Sequence, residues 1–454
     1  MASIAKAPVG ASSPAAHKSQ FSPAQTKSIL KILFFSLLLD LLSFTLILPL
    51  FPRLLDFYKS QPDNELLNNI FRYLNAFKEI FHRPISDRFD VVLLGGAMGS
   101  LFSLLQAFAS PIIGGLSDKY GRRTALLYSM AGNILSVLLW YLASSFPLFL
   151  ASRIVGGLSE GNVQLAIAIA TDISPPQSRN RTLALVGVAF SIAFTIGPMM
   201  GAYFSMKTMD VENPFAATAL FSLALLVVET AFLAWKLPET RPVQETVEQT
   251  AEGQVEVEEK SQSIALLNWL HFFFLFIFSG MEFSLPFMTY DLFSYTSAQS
   301  GKLLGFIGLL ASLLQGGYVR RAPPLRVAKT GLVCCVGAFF LLAKVQTEGM
   351  LYLAAAGLAG TSACVVTGLT ALASLKVAGR ERGRVMGGFR SAGQIGRAIG
   401  PIAFCSLYWW AGRTTAYLVG GSGMVLVAAL AWCVDGGGVD LRKGEKEGEG
   451  KKEL

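Results

Sequence analysis

Gly114-Gly115-Leu116-Ser117-Asp118-Lys119-Tyr120-Gly121-Arg122-Arg123 is a polar stretch of ten residues between two apolar runs, 91–113 and 124–146. Each run is long enough to cross a bilayer, which takes about 20 residues of helix. The stretch therefore reads as a tight hairpin loop at a membrane surface. Lys119, Arg122 and Arg123 in so short a loop assign it to the cytoplasmic side, because short cytoplasmic loops carry an excess of Lys and Arg. Gly114 and Gly121 allow close backbone approach and positive φ. Asp118 is the odd residue. A carboxylate among glycines and cations, set to face a helix N-terminus or a nearby arginine, reads as an ionic latch. The plainer alternative is an ordinary connecting loop.

Composition agrees with a membrane setting. The 454 residues are 52% hydrophobic and 15% charged, with 33 Phe and a mean hydropathy of +0.50. A soluble chain of this length needs far more charged surface, so a multi-pass membrane protein is expected. The net charge of +8 does not point to nucleic acid, because the basic residues fall in short loops beside apolar runs. The five cysteines all lie inside apolar runs of the second half, without metal-ligand spacing, so neither a disulfide framework nor a metal or other cofactor is expected.

Apolar runs bounded by charge, Gly or Pro give twelve expected spans: 29–50, 91–113, 124–144, 147–171, 182–204, 215–237, 264–288, 299–318, 328–345, 350–374, 384–409 and 414–434. The fold class expected is all-α, twelve transmembrane helices in two six-helix bundles. Residues 1–28 read as a polar N-terminal segment, 29–237 as the first bundle, 238–263 as an acidic linker, 264–434 as the second bundle and 435–454 as a charged tail. The linker carries six Glu between 245 and 259, the composition of a flexible segment. Lys and Arg placement puts both termini in the cytoplasm. The 51–90 segment, on the other side, holds six Lys or Arg, six Asp or Glu and several aromatics, and reads as a folded or amphipathic exterior loop.

Ionisable residues inside spans are costly and usually face the bundle interior or a water-filled path. Here they are Asp40, Arg153, Glu160, Glu229, His271, Glu282, Arg390 and Arg397. For each, a structural ion pair is the alternative to a functional site. Glu229 and His271, placed toward span ends in apolar surroundings, are read as structural.

Several motifs carry a resemblance. The Gly114 to Arg123 spacing, G-x-L-x-D-x-x-G-R-R between a second and a third span, resembles the signature loop of the major facilitator superfamily. Asp40 followed by Pro49 and Pro52 resembles the first-span motif of twelve-span drug and tetracycline:proton antiporters. Arg153-Ile154-Val155-Gly156-Gly157 resembles the fourth-span motif whose arginine is implicated in proton handling. Gly187 with Gly197-Pro198-Met199-Met200-Gly201 resembles the fifth-span antiporter motif, in which small residues permit close helix contact; its last position is Ala202 rather than a second Gly. Ser159-Glu160-Gly161-Asn162, the 276–282 run ending in Glu282, and 385–401 with Arg390, Gln394 and Arg397 resemble the eukaryotic tetracycline-transporter-like branch. The second-half counterpart of the signature loop, residues 317–326, lacks the acid.

The resemblance implies a secondary active transporter working by alternating access, with organic anions or amphipathic drugs as substrates and protons as the coupled ion. Gly114, Asp118, Gly121, Arg122 and Arg123 would form a gate latch. Gly187, Gly197, Pro198 and Gly201 would pack helices. Asp40 would carry the proton, with Glu160 and Arg153 as the other candidates. Glu282, Arg390, Gln394 and Asn162 would face substrate. A uniporter or exchanger without proton coupling, and a non-transporting membrane scaffold, remain open alternatives; an enzyme is not expected, because no phosphate loop, nucleophile elbow or metal cluster is present. The expected partners are the small-molecule substrate, protons and lipid, with the chain a monomer and no nucleic acid bound. The plasma membrane or an endomembrane is the expected location, and Lys451-Lys452 near the end of the chain resembles a dilysine endoplasmic-reticulum retrieval signal.

Overall fold

The computed structural model describes residues 21–47, 50, 54, 57–61, 65–79, 88–175, 178–206, 215–241, 251–295, 297–377 and 382–434. Pro49, Pro52, Lys451 and Lys452, together with 242–250 of the linker, lie outside the described residues. Among the described residues the chain is helical throughout, with no strand. In order, the helices are α1 (Pro23–Thr45), α2 (Glu65–Glu79), α3 (Arg88–Tyr120), α4 (Arg122–Tyr141), α5 (Phe146–Ser159), α6 (Asn162–Ile173) and α7 (Arg179–Met206). They continue as α8 (Ala216–Lys236), α9 (Ala251–Phe293), α10 (Ser297–Leu314), α11 (Pro324–Ala343), α12 (Glu348–Lys376), α13 (Arg382–Ala411) and α14 (Arg413–Trp432).

Eleven spans among the described residues are long and apolar enough to cross a membrane, α5 and α6 counting together as one. The remaining long helix, α13, has 30 residues and sits in sequence where the eleventh of twelve spans belongs. Its arginines lower its hydropathy, and it is instead sheltered by protein, packing on α3 and α9. Backbone polar groups cannot be left bare in lipid, which is why every crossing element is helical. Many large apolar side chains, Phe108, Leu313 and Leu426 among them, are exposed, as a lipid-facing surface requires.

Several boundaries differ from the sequence reading. The helix α1 begins at Pro23, where Ser22 and Gln25 form a capping box, and ends at Thr45. Asp40 thus lies five residues from its end rather than mid-span. The acidic segment does not run unstructured to residue 263: α9 starts at Ala251, because Ala, Glu, Gln and Lys are good helix formers and continue the turn into the span. The fourth span is not one helix. It breaks at Glu160, whose ψ of 84° leaves the helical region, and at Gly161. The 51–90 segment contains the amphipathic α2, and Tyr58 before it is buried with its hydroxyl donating to the Ala143 carbonyl at 2.9 Å.

Helices α1 and α3 to α8 pack among themselves, as do α9 to α14. The two sets meet along α3 with α13 and along α7 with α10 and α12.

Candidate functional site

The signature stretch is helical rather than a loop. α3 continues through Asp118 to Tyr120, and the chain reverses at Gly121 alone, with φ of 102°. That φ is rarely open to residues with a Cβ, so this glycine is required by backbone conformation. Gly114 is required by proximity: a Cβ there would run into the Gly383 carbonyl of α13. Gly114 lets α13 lie directly against this end of α3.

Asp118 stands at the N-terminus of α13. Its Oδ1 accepts from the Gly383 N–H at 3.0 Å and its Oδ2 from the Arg384 N–H at 2.8 Å. Both donors lie in the first turn of α13, where N–H groups have no partner within the helix and the dipole favours an anion. The same carboxylate accepts from Arg122 Nη1 at 2.6 Å. Arg122 is buried, and its Nε donates to Asp172 at 2.8 Å. The Arg123 side chain stands outside this network; its Nη2 donates to the Ala234 carbonyl at 2.5 Å.

Two members of the network escape the sequence reading. Glu239, in the Pro238-Glu239-Thr240 run that closes α8, accepts from the backbone N–H groups of Arg122 at 2.7 Å and Arg123 at 3.2 Å, capping α4. Asp172 sits in the last turn of α6, where an acid opposes the helix dipole unless a cation faces it. That misplacement is the signal that could have found it.

Further along the same seam, Arg179 Nη1 donates to the Ser374 carbonyl at 2.6 Å, and Ser391 Oγ donates to the Ala107 carbonyl at 2.6 Å. Ser191 Oγ donates to Gln315 Oε1 at 3.1 Å. The fifth-span glycines divide between two tasks. Gly197 and Gly201, either side of Pro198, lie against Thr45 and the Leu46 carbonyl, and so let α7 pack on α1. Gly187 instead makes room for the Gln315 side chain from the other half. Gln315 opens a short π-helical turn, Gln315–Val319, at the end of α10.

Within the first bundle lies a small cavity, about 40 Å³, with Asp40, Asn133, Trp140, Arg153, Glu160 and Ser222 on its wall. Asp40 is 3% exposed, and its Oδ1 accepts from Asn162 Nδ2 at 2.8 Å. Glu160 Oε2 accepts from Asn133 Nδ2 at 3.2 Å. Arg153 has no carboxylate within 4 Å among the described residues; its guanidinium lies 5.6 Å from the Phe149 ring centre and 5.9 Å from that of Trp140, in cation–π range. The break at Glu160 and Gly161 turns the acid and Asn162 into the interior, as discontinuous helices do at ligand sites in transporters.

The second bundle contributes Arg390, Gln394 and Arg397, at i, i+4 and i+7 on one face of α13. Arg397 Nη2 donates to Glu282 Oε2 at 2.8 Å, with the two side chains 41% and 47% exposed. Glu282 lies 18 residues into the 264–293 span, nearer its middle than its mouth. Arg390 makes no ion pair among the described residues and its Nε has no hydrogen-bond partner, although the charges of Glu160 and Asp40 act on it across the seam. Asp40, Glu160 and Arg153 therefore line one cavity, with Asn162 bonded to Asp40, and Arg390 is linked to them through charge alone; Glu282 and Arg397 pair with each other. His271 stacks on Phe389 with ring centres 4.2 Å apart, its Nδ1 lies 3.0 Å from the Phe389 carbonyl, and its buried Nε2 has no hydrogen-bond partner among the described residues.

Residues 33–401 match the Major Facilitator Superfamily. Major facilitator superfamily domain-containing protein 10 of Mus musculus is 34% identical over 436 residues, spanning 90% of this chain and 93% of that protein. The class H tetracycline resistance protein of Pasteurella multocida is 25% identical over 398 residues, spanning 84% and 89%. The crystal structure of the human organic anion transporter MFSD10 (TETRAN) superposes with a TM-score of 0.81 at 32% identity, over 90% of this chain and 100% of that one. The likeness to the transporter FucP in its outward conformation, at a TM-score of 0.68 and 12% identity, is one of fold. On these grounds the chain belongs to the Major Facilitator Superfamily: it is a multi-pass membrane transporter of the tetracycline-transporter-like type, with the twelve-helix fold of that family, and not an enzyme.

Proposed function

We propose that this protein moves small organic anions or amphipathic drugs across its membrane in exchange for protons, by alternating access between its two bundles. The observation that carries the anionic half of this reading is Arg390, a guanidinium inside the bundle without an ion-pair partner among the described residues. A half-buried cation without its counter-ion keeps an unmet attraction for an anion. An anionic substrate group supplies that counter-ion, with Gln394 one turn away as a further donor. The human relative is an organic anion transporter, which agrees with this chemistry.

The proton half rests on Asp40 and Glu160, two carboxyls on the wall of the same cavity. Protonating either one withdraws a negative charge that acts on Arg390, and so frees the guanidinium for substrate. Deprotonation restores the competing anion, and substrate leaves. The seam closed around Asp118 and Arg179 then faces the cytoplasm, consistent with the loop charges, and the interior is reached from the other side. The test is uptake into liposomes by the purified protein, offered fluorescein and tetracycline with and without an imposed pH gradient. Gradient-stimulated uptake together with substrate-dependent proton movement supports the reading. Uptake indifferent to the gradient, with no proton movement, refutes the coupling.

A further inference from the structure

The seam between α1 and α8 holds a carboxyl with no part in the gate or the cavity. Glu229 lies seven residues before the end of α8 at Lys236, about 10 Å at 1.5 Å per residue, and is 1% exposed. Ser36 Oγ lies 2.6 Å from its Oε1. Its Oε2 has no hydrogen-bond partner, and Glu229 makes no ion pair among the described residues. Leu33 and Leu37 beside Ser36, and Leu226 and Leu233 about a turn either side of Glu229, belong to one buried apolar cluster.

The placement is not isolated. Ser36, Asp40 and Ser43 fall at i, i+4 and i+7 of α1, hence on one face, and Ser222 and Glu229 fall seven apart on α8. Ser43 Oγ and Ser222 Oγ are 2.5 Å apart. The helices thus enclose a polar file in an apolar interior: Ser43 with Ser222, then Asp40, then Ser36 with Glu229. Asp40, Ser43 and Ser222 line the cavity, and Glu229 lies beyond them toward the end that carries Asp118. Of the helices packed on α8, α1 presents Asp40, whose charge acts on Glu229, as does that of Glu160 at the break between α5 and α6. Helix α4 presents Arg122 and Arg123 in its first turn, both already engaged. Helix α7 carries charge at Arg179 and Arg181 alone, also in its first turn.

We infer that Glu229 is a second proton-binding carboxyl in series with Asp40, and that Ser36 passes the proton between them. A hydroxyl is both donor and acceptor. Ser36 takes the proton of the Glu229 carboxyl as it gives its own to the Asp40 carboxylate, so that Glu229 ends ionised, Asp40 neutral and Ser36 unchanged. Ser36 is hydrogen-bonded to Glu229, and residues four apart on a helix are neighbours, which puts the Asp40 carboxyl one turn from the same hydroxyl, within reach of a side-chain rotation. The step rests on the proton-coupled reading above.

The test uses the full chain in liposomes and two readouts. Infrared difference spectra on a pH step should contain a carboxyl C=O band that is absent in Glu229→Gln and shifted in Ser36→Ala. In transport, Glu229→Gln should lose about tenfold or more of gradient-driven fluorescein or tetracycline uptake and keep substrate exchange without a gradient within about twofold. Gln can still accept from Ser36, so a merely structural Glu229 predicts wild-type behaviour in both readouts. Infrared spectra of Glu229→Gln identical to wild type overturn the inference. Absence of proton movement in the wild type overturns the coupled reading instead, while the infrared band still decides whether Glu229 binds a proton.

Discussion

Replacing Asp118 by Asn should open the seam without unfolding the protein. The carboxylate accepts three hydrogen bonds, and two of them, from the Gly383 and Arg384 N–H groups, cross from one half to the other. The bond from Arg122 lies within one half and persists whichever way the halves rock. Hydrogen bonds to a charged acceptor are worth about 1.5–3 kcal/mol each. Asparagine keeps one acceptor oxygen and loses the charge that the α13 N-terminus favours, so the closed state loses about 1.5–3 kcal/mol relative to the open one. At about 1.4 kcal/mol per decade, the closed-to-open ratio falls roughly 10- to 150-fold. Maleimide labelling of Ser391→Cys, whose native hydroxyl reaches the Ala107 carbonyl across the seam, reads that ratio once the exposed Cys433 is replaced by Ser. Asp118→Asn should accelerate labelling by at least about tenfold at the low end of that range. Asp172→Asn, which touches Arg122 but not α13, should change it far less. Equal labelling rates in Asp118→Asn and its parent would refute a gating role for this carboxylate.

Gly201→Ala places a Cβ on the Leu46 carbonyl and should destabilise the purified protein by about 1–3 kcal/mol in thermal unfolding, while Gly388→Ala, with open space around it, should be neutral or mildly stabilising. Arg390→Ala should weaken binding of an anionic probe about tenfold or more, the loss expected when a charge-assisted hydrogen bond is removed, and leave a neutral probe unaffected; titration with both decides it. Glu282→Gln should change stability by less than about 1 kcal/mol, because its pair with Arg397 is exposed and screened, so any larger loss of substrate affinity in the same variant identifies a substrate contact.

Much of the fold could be read from hydropathy, because a chain that crosses lipid as helices must do so in long apolar runs. α13 stands apart by hydropathy, since it carries Arg384, Arg390 and Arg397 while packing along α3 and α9. The latch is legible in part. Asp118 announces itself as an acid among cations, and a helix N-terminus is among its expected partners. The helical course of residues 114–120 is hidden, because Gly114, which suggests a loop, serves instead to admit the α13 backbone. Glu239 and Asp172 join Arg122 across 117 and 50 residues of chain, separations that no local pattern encodes. The break in the fourth span is present as Glu160-Gly161 but is outweighed by the apolar run on either side. Glu229 reads as structural from its apolar surroundings; its partner Ser36 lies 193 residues away.

Proton carriage by Asp40 is tested most directly by comparing Asp40→Asn with the wild type in liposomes, measuring uptake driven by a pH gradient and substrate exchange without one. Asn can keep the contact with Asn162 by presenting its amide oxygen to the Asn162 amide donor, 2.8 Å from Asp40 Oδ1 in the native protein, so the cavity wall is preserved while the titrating group is removed. The expected result is loss of gradient-driven uptake with exchange retained. Full gradient-driven uptake by Asp40→Asn would contradict it, and would make Asp40 a structural charge.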